Sequence, residues 1–171
     1  MWYKLILPNK HWDGTAASVG GKALHLMQMQ QAELPVPDFF ILPSETVRQL
    51  IQPVSTEVEA LLQKMPETPS GVLSSLSQEL QMLIKNVPFP QTLCSEIKGM
   101  CNFLFGESHK LAVRSSAILE DGLGHSFAGL HETFLNVSSE DLMECIMSCV
   151  VSVYKEEALS YLSKPDINFS L

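Results

Sequence analysis

The sequence predicts a mixed α+β domain, and three observations carry that prediction. Strand-like segments sit towards both ends of the chain, at 2–7, 39–42, 110–115 and 132–137. Between them, residues 52–109 repeat their apolar side chains at helical spacing, interrupted only by prolines and a glycine. The 171 residues are 46% hydrophobic and 18% charged, which suits one domain, or two small lobes sharing a core, and not a disordered tail.

The elements follow in order. Residues 2–7 read as a strand ended by Pro8-Asn9, and the polar stretch Lys10 to Ser18 as a loop. Gly20-Gly21 opens a helix from about Lys22 to Gln31, with Ala23, Leu26, Met27 and Gln30 on one side; Leu34-Pro35-Val36-Pro37 breaks it. Phe39 to Leu42 is a short buried strand. Pro43-Ser44 begins a helix whose apolar side is Val47, Leu50 and Ile51. Thr56 and Glu59 have capping-box spacing ahead of Leu61, Leu62 and Met65. Pro69-Ser70 opens a longer helix with Leu73, Leu76, Leu80, Leu83, Ile84 and Val87 at spacings of three and four, ended by Pro88. Pro90 opens the next, and Gly106 stops it after Phe105. Lys110 to Ser115 reads as a strand, and a glycine-bearing loop runs from Asp121 to Gly129. Glu132 to Val137 alternates, with Thr133, Leu135 and Val137 on one side and Phe134 on the other. Ser138, with Asp141 at the capping-box position, starts one long final helix that Pro165 closes.

Composition excludes several functions. The net charge is −8, from 11 basic and 19 acidic residues, with no basic run; phosphate neutralisation on a nucleic acid needs the opposite. No apolar run approaches the ~20 residues of a membrane span. The opening Met1-Trp2-Tyr3-Lys4 is too aromatic, and its apolar run too short, for a signal peptide. Cys94, Cys101, Cys145 and Cys149 form no CxxC pair and fall in apolar helical stripes, so they read as reduced, buried thiols and place the chain in the cytoplasm. His11, His25, His109, His125 and His131 show no zinc spacing, and no metal site is expected in this chain. No GxSxG elbow or Cys/His pair suggests a hydrolase.

Three segments carry groups suited to an anion. In Val19-Gly20-Gly21-Lys22, two glycines allow close backbone approach at a helix N-terminus, and Lys22 adds a full positive charge. A turn followed by a solvated lysine is the plainer alternative; Ala16 and Ala23 stand where a Walker A loop needs glycine and a hydroxyl. In Val113-Arg114-Ser115-Ser116, an arginine at the end of a buried strand is followed by two hydroxyls, which fits bidentate phosphate recognition; pairing of Arg114 with Glu120 or Asp121 is the alternative. The third segment, Asp121 to Gly129, holds Gly122, Gly124 and Gly129, whose N–H groups could face phosphate oxygens; a plain surface loop is the alternative.

Taken together, these segments resemble the N-terminal ATP-binding (PEP/pyruvate-binding) domain of the phosphoenolpyruvate synthase and pyruvate phosphate dikinase family, shared with rifampicin phosphotransferases and plant starch dikinases. The resemblance rests on Val19-Gly20-Gly21-Lys22-Ala23, Leu34 to Leu42, and Leu111-Ala112-Val113-Arg114-Ser115-Ser116-Ala117. It continues through Glu120-Asp121, Ser126-Phe127-Ala128-Gly129, Thr133 to Val137, and a helix ending in Ala158 and Tyr161. The blocks keep the family's order over most of 1–42 and 110–162. The resemblance implies an ATP-grasp-like fold, with residues 1–171 as the N-terminal lobe and 52–109 as a helical insertion.

It also implies that Gly20, Gly21, Lys22 and Arg114 contact ATP phosphates, Arg114 being the residue nearest catalysis, and that Gly124, Ser126, Gly129 and Thr133 belong to the loop covering them. The implied activity moves phosphate from ATP through a histidine to an acceptor such as pyruvate or an antibiotic. Leu130-His131 and Gly122-Leu123-Gly124 depart from the family's usual residues. The chain ends at Leu171, near where a second lobe would begin, so the Mg²⁺ ligands and the phosphohistidine domain are expected in other domains of a larger enzyme, and the 171 residues alone are expected to turn over poorly. A non-catalytic nucleotide-sensing or protein-interaction module is the alternative function.

Overall fold

The computed structural model describes residues 3–8, 16–65, 70–106, 110–116 and 132–162. Their element order is α1 (Ala16–Val19), α2 (Gly21–Gln31), α3 (Ser44–Ile51), a 3₁₀ turn (Gln52–Val54), α4 (Ser55–Gln63), α5 (Ser70–Lys85), α6 (Gln91–Phe105), β1 (Leu111–Arg114), β2 (Thr133–Val137), α7 (Leu142–Ser152) and α8 (Glu156–Leu162). This is a mixed helical fold with a two-stranded antiparallel sheet, consistent with α+β.

Two apolar clusters hold it. The larger joins α3 to α6 with α7, α8 and the sheet, around Val58, Leu80, Ile84, Leu93, Ile97 and Leu159, each with no measurable exposure. The smaller gathers Ile6, Val19, Ala23, Met27 and Ile41 around the start of α2. Helix α7 packs on both strands and on α5, and α8 packs on α5.

The punctuation residues behave as their chemistry demands. α2 ends in a Schellman motif: Glu33 takes φ 59, Leu34 N–H reaches the Met29 carbonyl at 3.0 Å and Glu33 N–H reaches Gln30 at 3.0 Å. Pro35 then forbids continuation. α6 stops at Gly106, whose φ of 77 is a glycine conformation.

Several expectations are corrected. The strands at 2–7 and 39–42 shrink to one antiparallel bridge between Ile6 and Ile41, because no further strand pairs with either segment among the described residues. Residues 16–18, expected in a loop, belong to α1, which packs on α2 and α3. The Thr56/Glu59 capping box is not formed: the 3₁₀ turn runs straight into α4 and makes Val54 the N-cap, leaving Thr56 inside the first turn. Val137 lies on the same side as Phe134, not with Thr133 and Leu135. Leu111 pairs with Val137 and Val113 with Phe134, so Ala112 faces both Leu135 and Asn136 in a bulge. Asn136, at φ 57, absorbs it. Val137 is consequently 4% exposed and Leu135 70%.

The single final helix is two. Ser138 and Asp141 do bond each other at 2.6 Å, but Asp141 itself occupies the N-cap of α7. The helix then breaks after Ser152, where Tyr154 N–H folds back on Val151. The Tyr154 carbonyl, released from the ladder, accepts the Ser77 hydroxyl of α5 at 2.8 Å, fully buried. Ser77 is held in turn by the Gln81 amide at 2.8 Å. All four cysteines are free; Cys101 and Cys149 are buried, whereas Cys94 and Cys145 are half-buried.

Candidate functional site

The start of α2 and the end of β1 meet. Gly20 is the N-cap of α2, with φ 77 and ψ 164, a region essentially reserved for glycine. Its carbonyl accepts the first helical bond, from Leu24 at 3.0 Å. A Cβ on Gly20 would lie 1.9 Å from the Ser116 carbonyl oxygen and 2.5 Å from its hydroxyl. The same hydroxyl accepts the Ala23 N–H at 2.9 Å, across 93 positions of sequence. Gly21 and Lys22 therefore sit in a turn fastened to the strand that carries Arg114.

The strand side is equally specific. Arg114 is opposite Thr133 in the ladder, and both are exposed. One residue on, Ser115 is buried and gives both its N–H and its hydroxyl to the Glu132 carbonyl, at 3.2 and 3.4 Å. The Cys149 thiol donates to that carbonyl at 3.8 Å. The Glu132 carboxylate pairs with Lys155, in the break between α7 and α8.

Charge at this junction is legible through Cys149. Burial pushes its thiol up to about 11, and Cys145 and Glu132 add to that; Lys22 and the Ser115 N–H work against it by favouring the thiolate. A surface groove of ≈ 510 Å³ between α5, β2 and α7 adjoins this junction through Glu132 and Lys155.

The structure brings Gly20, Gly21 and Lys22 to the end of the strand bearing Arg114, with Thr133 beside Arg114 on the ladder. Gly124, Ser126 and Gly129 lie outside the described residues. Sequence reasoning did not connect Glu132, Cys149 and Lys155 with this site. Cys149 reads from its apolar stripe as a packing thiol, and no local signal joins Lys155 to Glu132, 23 positions away. Among the described residues, no three His, Cys, Asp or Glu side chains come together in a way that could hold a metal ion. No helix among them is long and apolar enough to cross a membrane.

Residues 16–170 match the family described as pyruvate phosphate dikinase, AMP/ATP-binding domain. A probable phosphoenolpyruvate synthase of Archaeoglobus fulgidus is 35% identical over 149 residues, covering 84% of this chain and 20% of that protein. The phosphoenolpyruvate synthase of Helicobacter pylori is 34% identical over 154 residues, covering 84% of this chain and 19% of the relative. A rifampicin phosphotransferase of a Streptomyces species is 30% identical over 156 residues, covering 89% and 18%. The chain thus spans about a fifth of the length of the curated relatives it matches.

Proposed function

The chain belongs to the pyruvate phosphate dikinase AMP/ATP-binding domain family, and from that premise we propose that it is the ATP-binding lobe of a dikinase-type phosphotransferase. The reaction we assign to the whole enzyme moves phosphate from ATP through a histidine to an acceptor such as pyruvate or a rifamycin-like antibiotic. We read residues 1–171 as the first lobe of an ATP-grasp-like domain with 52–109 as its helical insertion, working with further domains of a larger enzyme. Four free thiols suit a cytoplasmic setting.

The observation that carries the reading is the fastening of the Gly20–Ala23 turn to Ser116. It sets the N-terminal turn of α2, which carries Lys22, against the end of the strand that carries Arg114. Phosphoryl transfer asks little covalent chemistry of the protein and much placement of positive charge. In this reading Lys22 and the start of α2 meet phosphate oxygens, because the backbone there carries partial positive charge and Lys22 adds a full one. Arg114 supplies planar, bidentate contacts to the transferring phosphate. Gly124, Ser126, Gly129 and Thr133 are assigned to covering the phosphates and excluding water. Mg²⁺ would neutralise phosphate charge when bound, but the described residues do not offer a ligand cluster for it, and its ligands are assigned to the remainder of the enzyme.

The test is an ATP-induced thermal shift of the 171-residue chain. Each charged phosphate contact is worth about 1.5–3 kcal/mol, or roughly 10- to 150-fold in affinity. Lys22→Ala and Arg114→Ala should each abolish the shift, while His131→Ala should keep it. A shift that survives both substitutions would refute the assignment.

A further inference from the structure

We propose that Ser116 is a positioning residue of the nucleotide site: its hydroxyl serves α2 as an N-cap supplied from a distant strand, and so holds the turn carrying Lys22 against the end of the strand carrying Arg114. The proposal deepens the ATP-binding reading and rests on it for its ligand.

A helix N-terminus leaves its first N–H groups without intrahelical partners, and a Ser, Thr, Asp or Asn side chain at the N-cap usually accepts one of them, at the second or third helical residue. α2 has no such side chain, because its N-cap is Gly20. Ala23 is the third helical residue, and its N–H is the one that Ser116 accepts at 2.9 Å. The missing local cap and the distant one are therefore two sides of one arrangement. Any side chain at position 20 would collide with Ser116, whose carbonyl oxygen would sit 1.9 Å from the added Cβ. The bare glycine admits the strand end, and the strand end returns the cap that glycine cannot provide.

The geometry ties two charges together. Lys22 directly precedes the capped residue, and Arg114 stands two residues before the capping one. Ser115, between Arg114 and Ser116, is buried and bonded twice to the Glu132 carbonyl, so the capping hydroxyl projects from a strand end that cannot slide. Removing the hydroxyl frees the first turn of α2, and Lys22 with it, without touching either charge.

The experiment combines amide hydrogen exchange and ATP titration, both followed by NMR on the 171-residue chain. In Ser116→Ala the Ala23 amide should exchange about fivefold faster or more, the worth of one neutral hydrogen bond. ATP affinity should fall by a similar factor. In the Lys22→Ala background the same Ser116→Ala change should leave affinity within about twofold, because the hydroxyl acts through Lys22. A loss of general stability would weaken binding equally in both backgrounds, and that result would overturn the proposal. Ala23 exchange unaltered in Ser116→Ala would overturn it too. Should wild type ignore ATP, the ATP-binding reading fails, and the Ala23 amide still decides the cap. If Ser116→Ala does not fold, the wild-type Ala23 amide decides alone. Protection comparable to the interior of α2 supports the cap, and exchange at the rate of an unbonded amide overturns it.

Discussion

Gly20→Ala isolates how closely the strand end approaches α2, because Gly106 provides an internal reference. Both glycines have φ 77, and their ψ values, 164 and −173, lie in the same sparsely allowed region. An alanine there carries about 1–3 kcal/mol of backbone strain at either site. The surroundings differ. A Cβ on Gly106 meets no atom of the described residues within 4 Å, whereas one on Gly20 would lie 1.9 Å from the Ser116 carbonyl oxygen and 2.4 Å from its carbon. Those are backbone atoms, which cannot rotate away as a flexible side chain would. Relief requires the end of β1 to move, and overpacking of this kind costs about 1–3 kcal/mol more. Gly20→Ala should thus destabilise by about 2–6 kcal/mol and Gly106→Ala by about 1–3 kcal/mol, against a total near 5–15 kcal/mol. Urea unfolding of the three proteins under one set of conditions measures the difference through the midpoints, with the slope checked for constancy. Equal losses at the two glycines would mean that no backbone stands against position 20, and the account of the α2–β1 junction would be wrong.

Two further outcomes follow from buried groups. Ser77→Ala removes the buried hydroxyl that donates to the Tyr154 carbonyl from α5 and should lower stability by about 1–3 kcal/mol, read from the urea midpoint; a loss below a few tenths would show that the α7–α8 break does not depend on that bond. The Cys149 thiol, raised by burial from 9.0 to about 11, holds its proton more tightly folded than unfolded, so its contribution is complete below about pH 9 and is lost as pH rises through 11. Stability should fall over that interval by at most about 1.4 kcal/mol per pH unit for this thiol, less steeply in Cys149→Ser, and a midpoint that rises with pH would contradict it.

Much of the fold was legible because proline and glycine act locally. Pro43, Pro90 and Gly106 bound α3 and α6 where a reading of punctuation places them. Two of the misplaced features depend on a partner far away in sequence. The break between α7 and α8 is matched by Ser77 of α5, 77 positions from Tyr154, and nothing near Ser152 announces it. Val137 changes face because one residue of β1 opposes two of β2, a property of register and not of alternation. The site divides in the same way. Lys22 and Arg114 stand out because glycines and hydroxyls surround them, whereas Glu132 and Lys155 look like ordinary surface charges until the fold pairs them.

The bond from Ala23 to Ser116 also has a kinetic meaning. Closing a featureless loop of that length carries a length-dependent entropy of about 4 kcal/mol, from (3/2)RT ln n. Helices α3 to α6 lie within that loop and enter one apolar cluster with α7 and α8. Once condensed, they replace most of the loop with a rigid span and reduce that entropy by about 1 kcal/mol. Residues far from Lys22 and Arg114 thus set how quickly the two are brought together, and substitutions in α5 or α6 would slow maturation of the turn at Gly20 without altering it once formed.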